Sequence, residues 1–157
     1  MKKDWSVPAF EAFCFLVDYV LREESYEITY TLLATKISKN RICGRLNARN
    51  MRIPLSVLGR TLANLSEPTQ IPNIGCLVVN AQTHLPGDGI DEFWVGYSGF
   101  SRARKQEVFR NERDYIKSFG MTNWERVMEI LDSQRMLDYY SYNHKTPIGF
   151  YMQREWF

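Results

Sequence analysis

The sequence predicts an α+β fold, helix-rich with a small antiparallel sheet, from three features of the 157-residue chain. Apolar residues recur at helical spacing over several long stretches. The run Ile74-Gly75-Cys76-Leu77-Val78-Val79 reads as a buried strand. Pro86-Gly87-Asp88-Gly89 then supplies turn chemistry, because proline fixes φ and glycine permits positive φ. One domain is expected over 1–157: the length suffices for a core, and no repeat, low-complexity segment or linker divides it.

Ser6-Val7-Pro8 reads as a helix start, with Ser6 as the cap and proline in the first turn. Phe10, Phe13, Cys14, Val17, Val20 and Leu21 continue that helix, so its aromatic face is core. After the polar break Arg22-Glu23-Glu24-Ser25, Thr29 is placed to cap a second helix with Tyr30, Leu33, Ala34 and Ile37 facing inward. Lys39-Asn40 ends it. Residues 41–53 form a basic connection in which Ile42, Cys43, Leu46 and Met51 are intermittently buried. Pro54 suits the opening turn of a third helix, whose buried line is Leu55, Leu58, Leu62 and Leu65. Ser56, Arg60 and Asn64 are spaced four apart and share a polar face. Glu67-Pro68 stops this helix, and the strand at 74–79 returns through Phe93-Trp94-Val95-Gly96-Tyr97. Ser101 opens a long helix that ends at Gly120. Thr122 and Glu125 have the spacing of a capping box for a last helix carrying Trp124, Val127, Met128, Leu131, Met136 and Leu137. The aromatic tail at 148–157 forms a strand or seals an edge. Helix, basic connection, helix, strand and loop is an order that suits a winged-helix-like core at about 26–100, with a helical extension at about 101–157.

The formal net charge of +2 conceals a segregated field. Residues 28–66 carry Lys36, Lys39, Arg41, Arg45, Arg49, Arg52 and Arg60 and no acid, whereas 67–100 carry four acids and no lysine or arginine. Such a block attracts phosphates over roughly a Debye length, about 8 Å at physiological salt. Nucleic acid, DNA in preference to RNA, is therefore the first expected partner. Lys36, Lys39, Arg41, Arg45, Arg49 and Arg52 would meet phosphates, and the 84–89 loop would act as a wing. Arg60 and Asn64 would approach the bases, since arginine donates two hydrogen bonds to guanine and asparagine both donates to and accepts from adenine. An acidic protein partner is the competing expectation, as for an immunity or inhibitor-type protein that blocks a bacterial or phage enzyme. The plainest alternative is a solvated face, or one neutralised by acids such as Glu23, Glu24, Asp88 and Asp91.

No enzyme, cofactor or metal is expected. Cys14, Cys43 and Cys76 cannot all pair and lack metal-ligand spacing, which points to reduced thiols in a cytoplasmic protein. His84 and His144 have no cysteine or carboxylate partner at metal-ligand spacing. Asp88, Asp91 and Glu92 are retained as the carboxylates of a nuclease alternative. The glycines at 87 and 89 lack phosphate-loop spacing, and no serine sits in a nucleophile elbow. No signal peptide and no apolar run of membrane-spanning length is visible.

Tyr30-Thr31-Leu32-Leu33-Ala34, Leu58-Gly59-Arg60-Thr61-Leu62 and residues 72–89 together resemble the DNA-binding half of alkylguanine alkyltransferases and their non-catalytic alkyltransferase-like relatives. In that family a strand carrying Pro-Cys-His-Arg-Val-Val follows a glycine-containing recognition helix. Setting Val78-Val79 on the family's paired valines puts Gly75 at the nucleophilic cysteine, Cys76 at the histidine and Leu77 at the arginine. The resemblance therefore implies DNA binding without alkyl transfer. Cys76 is one residue out of phase, and on a strand that offset points it to the opposite face. The same stretch, with Arg104 to Asn111 and Trp124, is also similar to a small domain associated with bacterial HNH nucleases and defence-linked proteins. That second resemblance covers about 26–130 through Leu-Gly-Arg, Val-Val-Asn and Pro-Gly-x-Gly patterns. It implies nucleic-acid processing or phage conflict, with no HNH nuclease domain in this chain.

Overall fold

The structure is a computed structural model that describes residues 5–37, 46–65 and 70–133. Its first helix, α1 (Ser6–Glu23), buries Ala9, Ala12, Phe13, Leu16, Val17 and Val20, the three- and four-residue spacing of one helix face. Ser6 is not the cap. Trp5 holds that position without a side-chain cap bond, and its own side chain is buried. Burying an indole there outweighs a hydroxyl cap worth about 1 kcal/mol.

β1 (Ile28–Thr29) leads directly into α2 (Tyr30–Ile37). Thr29 caps α2 as expected, its Oγ1 accepting from the Leu32 N–H at 3.2 Å, and Leu33, Ala34 and Ile37 are buried. Lys39, Arg41, Ile42, Cys43 and Arg45 lie outside the described residues.

α3 (Arg52–Asn64) is preceded by a helical turn that two asparagines close. Asn47 Oδ1 accepts from the Asn50 N–H at 3.0 Å, and Asn50 Oδ1 accepts from the Asn47 N–H at 2.8 Å. This is the reciprocal bonding of a capping box, with asparagine in both roles. Pro54 lies in the first turn, where no intrahelical donor is needed, and Val57, Leu58 and Leu62 face the core.

The sheet differs from expectation. β2 is only Val78–Val79 and pairs with β1 in parallel, Ile28 opposite Val78 and Thr29 opposite Val79. The connection between the strands passes through α2 and α3, and such a crossover brings the chain back in the same direction. Ile74–Leu77 is 3-10 helix rather than strand. Residues 93–97 are not a returning strand either. Phe93, Trp94 and Tyr97 are buried while Val95 and Gly96 are exposed, which is turn-like spacing and not alternation. Gly96, at φ 86°, supplies the left-handed corner between the 3-10 turns Asp88–Glu92 and Tyr97–Gly99.

α4 (Arg102–Phe119) is capped by Ser101, whose Oγ accepts from the Arg104 N–H at 3.2 Å, and stops at Gly120, φ 86°. α5 (Met121–Ser133) starts one residue before Thr122, so the expected capping box does not form. Instead the Trp124 N–H continues the chain's helical bonding to the Gly120 carbonyl at 3.1 Å. Trp124 is fully buried, 4.6 Å from the Phe119 ring centroid and 6.2 Å from that of Phe13. Met136, Leu137, His144 and the aromatic tail lie outside the described residues.

α1 is the hub: α2, α3, α5 and the 74–77 turn all pack on it, and α4 covers the 74–77 turn. Among the described residues, no helix is long and apolar enough to cross a membrane.

Candidate ligand cleft

Between the start of α3, the start of α2 and the 73–93 segment lies a cleft of about 700 Å³. That volume is within the range of small-ligand sites. Its floor is an ionic network. The Arg60 guanidinium pairs with the Glu92 carboxylate through Nη2 and Oε1, Arg60 Nε donates to Ser56 Oγ at 3.0 Å, and Ser56 Oγ donates to Glu92 Oε2 at 2.8 Å. Ser56 and Arg60 therefore do share a face of α3, but that face is turned into the protein. Arg60 is only 8% exposed and is Glu92's counter-ion, where it was expected to stand free on a polar face. Asn64 is exposed at the helix end and returns its Nδ2 to the Arg60 carbonyl at 2.8 Å.

Arg49 and Arg52 line the cleft and are exposed. Neither has an ion-pair partner among the described residues. The Asn47/Asn50 turn sets their spacing, and both sit at the positive end of the α3 dipole, which adds to their pull on an anion. Lys36 is exposed in the last turn of α2, roughly 9 Å along the helix axis from Tyr30 at the cleft.

The wall opposite α3 is the loop between β2 and the 88–92 turn. It is closed on itself by Asn80 N–H to Leu85 carbonyl and His84 N–H to Asn80 carbonyl bonds, each 2.9 Å. Two tyrosines pin this loop: Tyr97 donates to the Pro86 carbonyl at 3.0 Å, and the Tyr30 hydroxyl accepts from the Gly87 N–H at 3.0 Å. Burial pushes the pKa of both phenols up, against a smaller lowering of Tyr30's by the Gly87 bond, so both stay protonated at neutral pH. His84 meets Glu27 at 2.6 Å and ties the loop to the link before β1.

The acids of the 88–92 segment go three ways. Asp88 takes Lys105 at 3.3 Å, Asp91 accepts from the Ser98 N–H at 2.6 Å and from its hydroxyl, and Glu92 joins Arg60. Among the described residues, no three His, Cys, Asp or Glu side chains are grouped to hold a metal ion. Cys76 is fully buried. The Cys14 thiol is pushed up to about 11 by burial and then by Asp18, Asp132 and Glu11, which suppresses its thiolate.

Sequence reasoning did not find three components of the cleft: the Tyr30 hydroxyl, Asn73 and the Glu92 counter-ion. Only the Asn47-x-x-Asn50 spacing carried a local signal, that of a capping box. The chain matches no protein-family model, and no curated protein or solved structure is significantly similar to it.

Proposed function

We propose that this protein is a non-enzymatic nucleic-acid-binding protein, favouring DNA over RNA and working in the cytoplasm. α2 and α3 would act as the helix pair of a winged-helix-like unit. The observation that carries this reading is the pair Arg49 and Arg52, exposed, without ion-pair partners among the described residues, and stationed at the mouth of a cleft at a helix N-terminus. Lys36 is exposed in the last turn of α2, and Lys39, Arg41 and Arg45 follow it in sequence. Phosphates are the anions that such a surface suits best, because each guanidinium offers a planar fork of donors. An acidic protein would meet the same side chains, as in the immunity or inhibitor reading, and it would compete with nucleic acid for them.

Mobility shifts with duplex and single-stranded DNA over a salt series test the proposal. Affinity should fall steeply with salt, and Arg49→Glu with Arg52→Glu should weaken binding at least tenfold while lowering the salt slope by about one to two. No shift at low salt, or an unchanged double variant, overturns it.

A further inference from the structure

Asn73 lies at the back of the cleft, 2% exposed. Its backbone N–H donates to Glu112 Oε1 at 2.8 Å, so α4 holds it from behind. Its carboxamide, with two donors and an acceptor, has no hydrogen-bond partner among the described residues. Neither polar atom of that amide is sealed inside the protein, so both are open to a ligand that enters the cleft. The Tyr30 hydroxyl stands in the same cleft. It already accepts from Gly87, so what it offers a ligand is its proton.

We infer that the cleft is the subsite for one unpaired nucleotide, with its base held by the Asn73 carboxamide and the Tyr30 hydroxyl and its phosphate by Arg49 and Arg52. This rests on the nucleic-acid reading and adds what enters the site. An amide that donates and accepts side by side complements a base edge, most directly that of adenine. Phe93, Ile90 and Leu55 add an apolar wall suited to a flat ring. The two rim arginines supply the charge that a neutral heterocycle alone would not need. A stacked and paired base does not present its ring and pairing edge to a cleft, so the nucleotide comes from a single strand or is free in solution.

The full-length chain decides the matter in titrations with a short adenine-rich single strand, the same strand as a duplex, AMP, ribose 5-phosphate and inorganic phosphate. The single strand should bind at least tenfold more tightly than the duplex. Asn73→Leu and Tyr30→Phe should each cost about fivefold or more for the single strand. Both should leave duplex affinity and the salt slope unchanged, since the phosphate contacts remain. AMP binding that exceeds ribose 5-phosphate binding and depends on Asn73 identifies the free nucleotide as a ligand, whereas single-strand binding without AMP binding identifies a strand. Should Asn73→Leu fail to fold by circular dichroism, Tyr30→Phe carries the test, because its ring still fills the same space. Equal single-strand and duplex affinity, with Tyr30→Phe at the wild-type value, overturns the subsite and leaves phosphate binding by Arg49 and Arg52 standing. Loss of all binding at low salt overturns both.

Discussion

Arg60 is where sequence and structure part most clearly. Its helix neighbours Ser56 and Asn64 fall on the polar line expected of it, yet the carboxylate that claims it stands 36 residues beyond Ser56 in sequence, in a segment with no local reason to approach α3. Periodicity shows which residues share a face; it does not show which way a polar face turns. The pair is largely out of water, 10% and 23% exposed by side chain, so breaking it strands a charge. Arg60→Met should therefore cost about 2–4 kcal/mol in urea unfolding. Adding Glu92→Met should restore most of that loss, because two apolar side chains replace two charges. If the double variant is no more stable than Arg60→Met, the loss is one of packing and not of charge.

At the scale of elements, the helices were legible because each carries a 3.6-residue pattern and, for α2 and α4, a local cap. The strands were not. An apolar run of six reads as a strand from composition, but only Val78 and Val79 find a partner, and the turn before them is coiled by Cys76 N–H to Asn73 carbonyl and Val78 N–H to Gly75 carbonyl bonds. The packing of α3 on the 88–93 turn rests on a missing side chain. A Cβ on Gly59 would stand 2.4 Å from Phe93 Cζ. Alanine is favoured over glycine in a helix by about 1 kcal/mol, but Phe93 is buried and overlap of this depth costs about 1–3 kcal/mol. Gly59→Ala should be net destabilising and should displace the ring that lines the cleft. Phe93→Leu in the same chain should relieve it, measured as a thermal midpoint above that of Gly59→Ala alone. A stabilised Gly59→Ala would mean that the ring has another place to go.

For the whole molecule, an α+β fold was legible from the order of patterns, whereas strand direction was not, because it depends on the path of the helical crossover. The charge segregation along the chain is partly undone in space: Glu92 of the acid-only stretch neutralises Arg60 of the basic one, and Asp88 meets Lys105 instead. What the fold leaves uncompensated among its described basic residues of 28–66 is Lys36, Arg49 and Arg52. Buried side chains from every helix belong to one connected cluster, with Trp124 of α5 against Phe13 of α1 and Phe119 of α4, and with its Nε1 donating to the Ile116 carbonyl at 3.3 Å. A cluster continuous across α1 and α5 gives the C-terminal helices no core of their own, so they should melt with the rest. Tryptophan fluorescence and far-ultraviolet circular dichroism should then report one coincident urea transition. Trp124→Ala should lower its stability by about 3–5 kcal/mol and shift both probes together. Two separated transitions, with only the later one insensitive to Trp124→Ala, would make residues 102–133 a unit apart from the cleft, and Asn73 would then be held by a helix able to leave it.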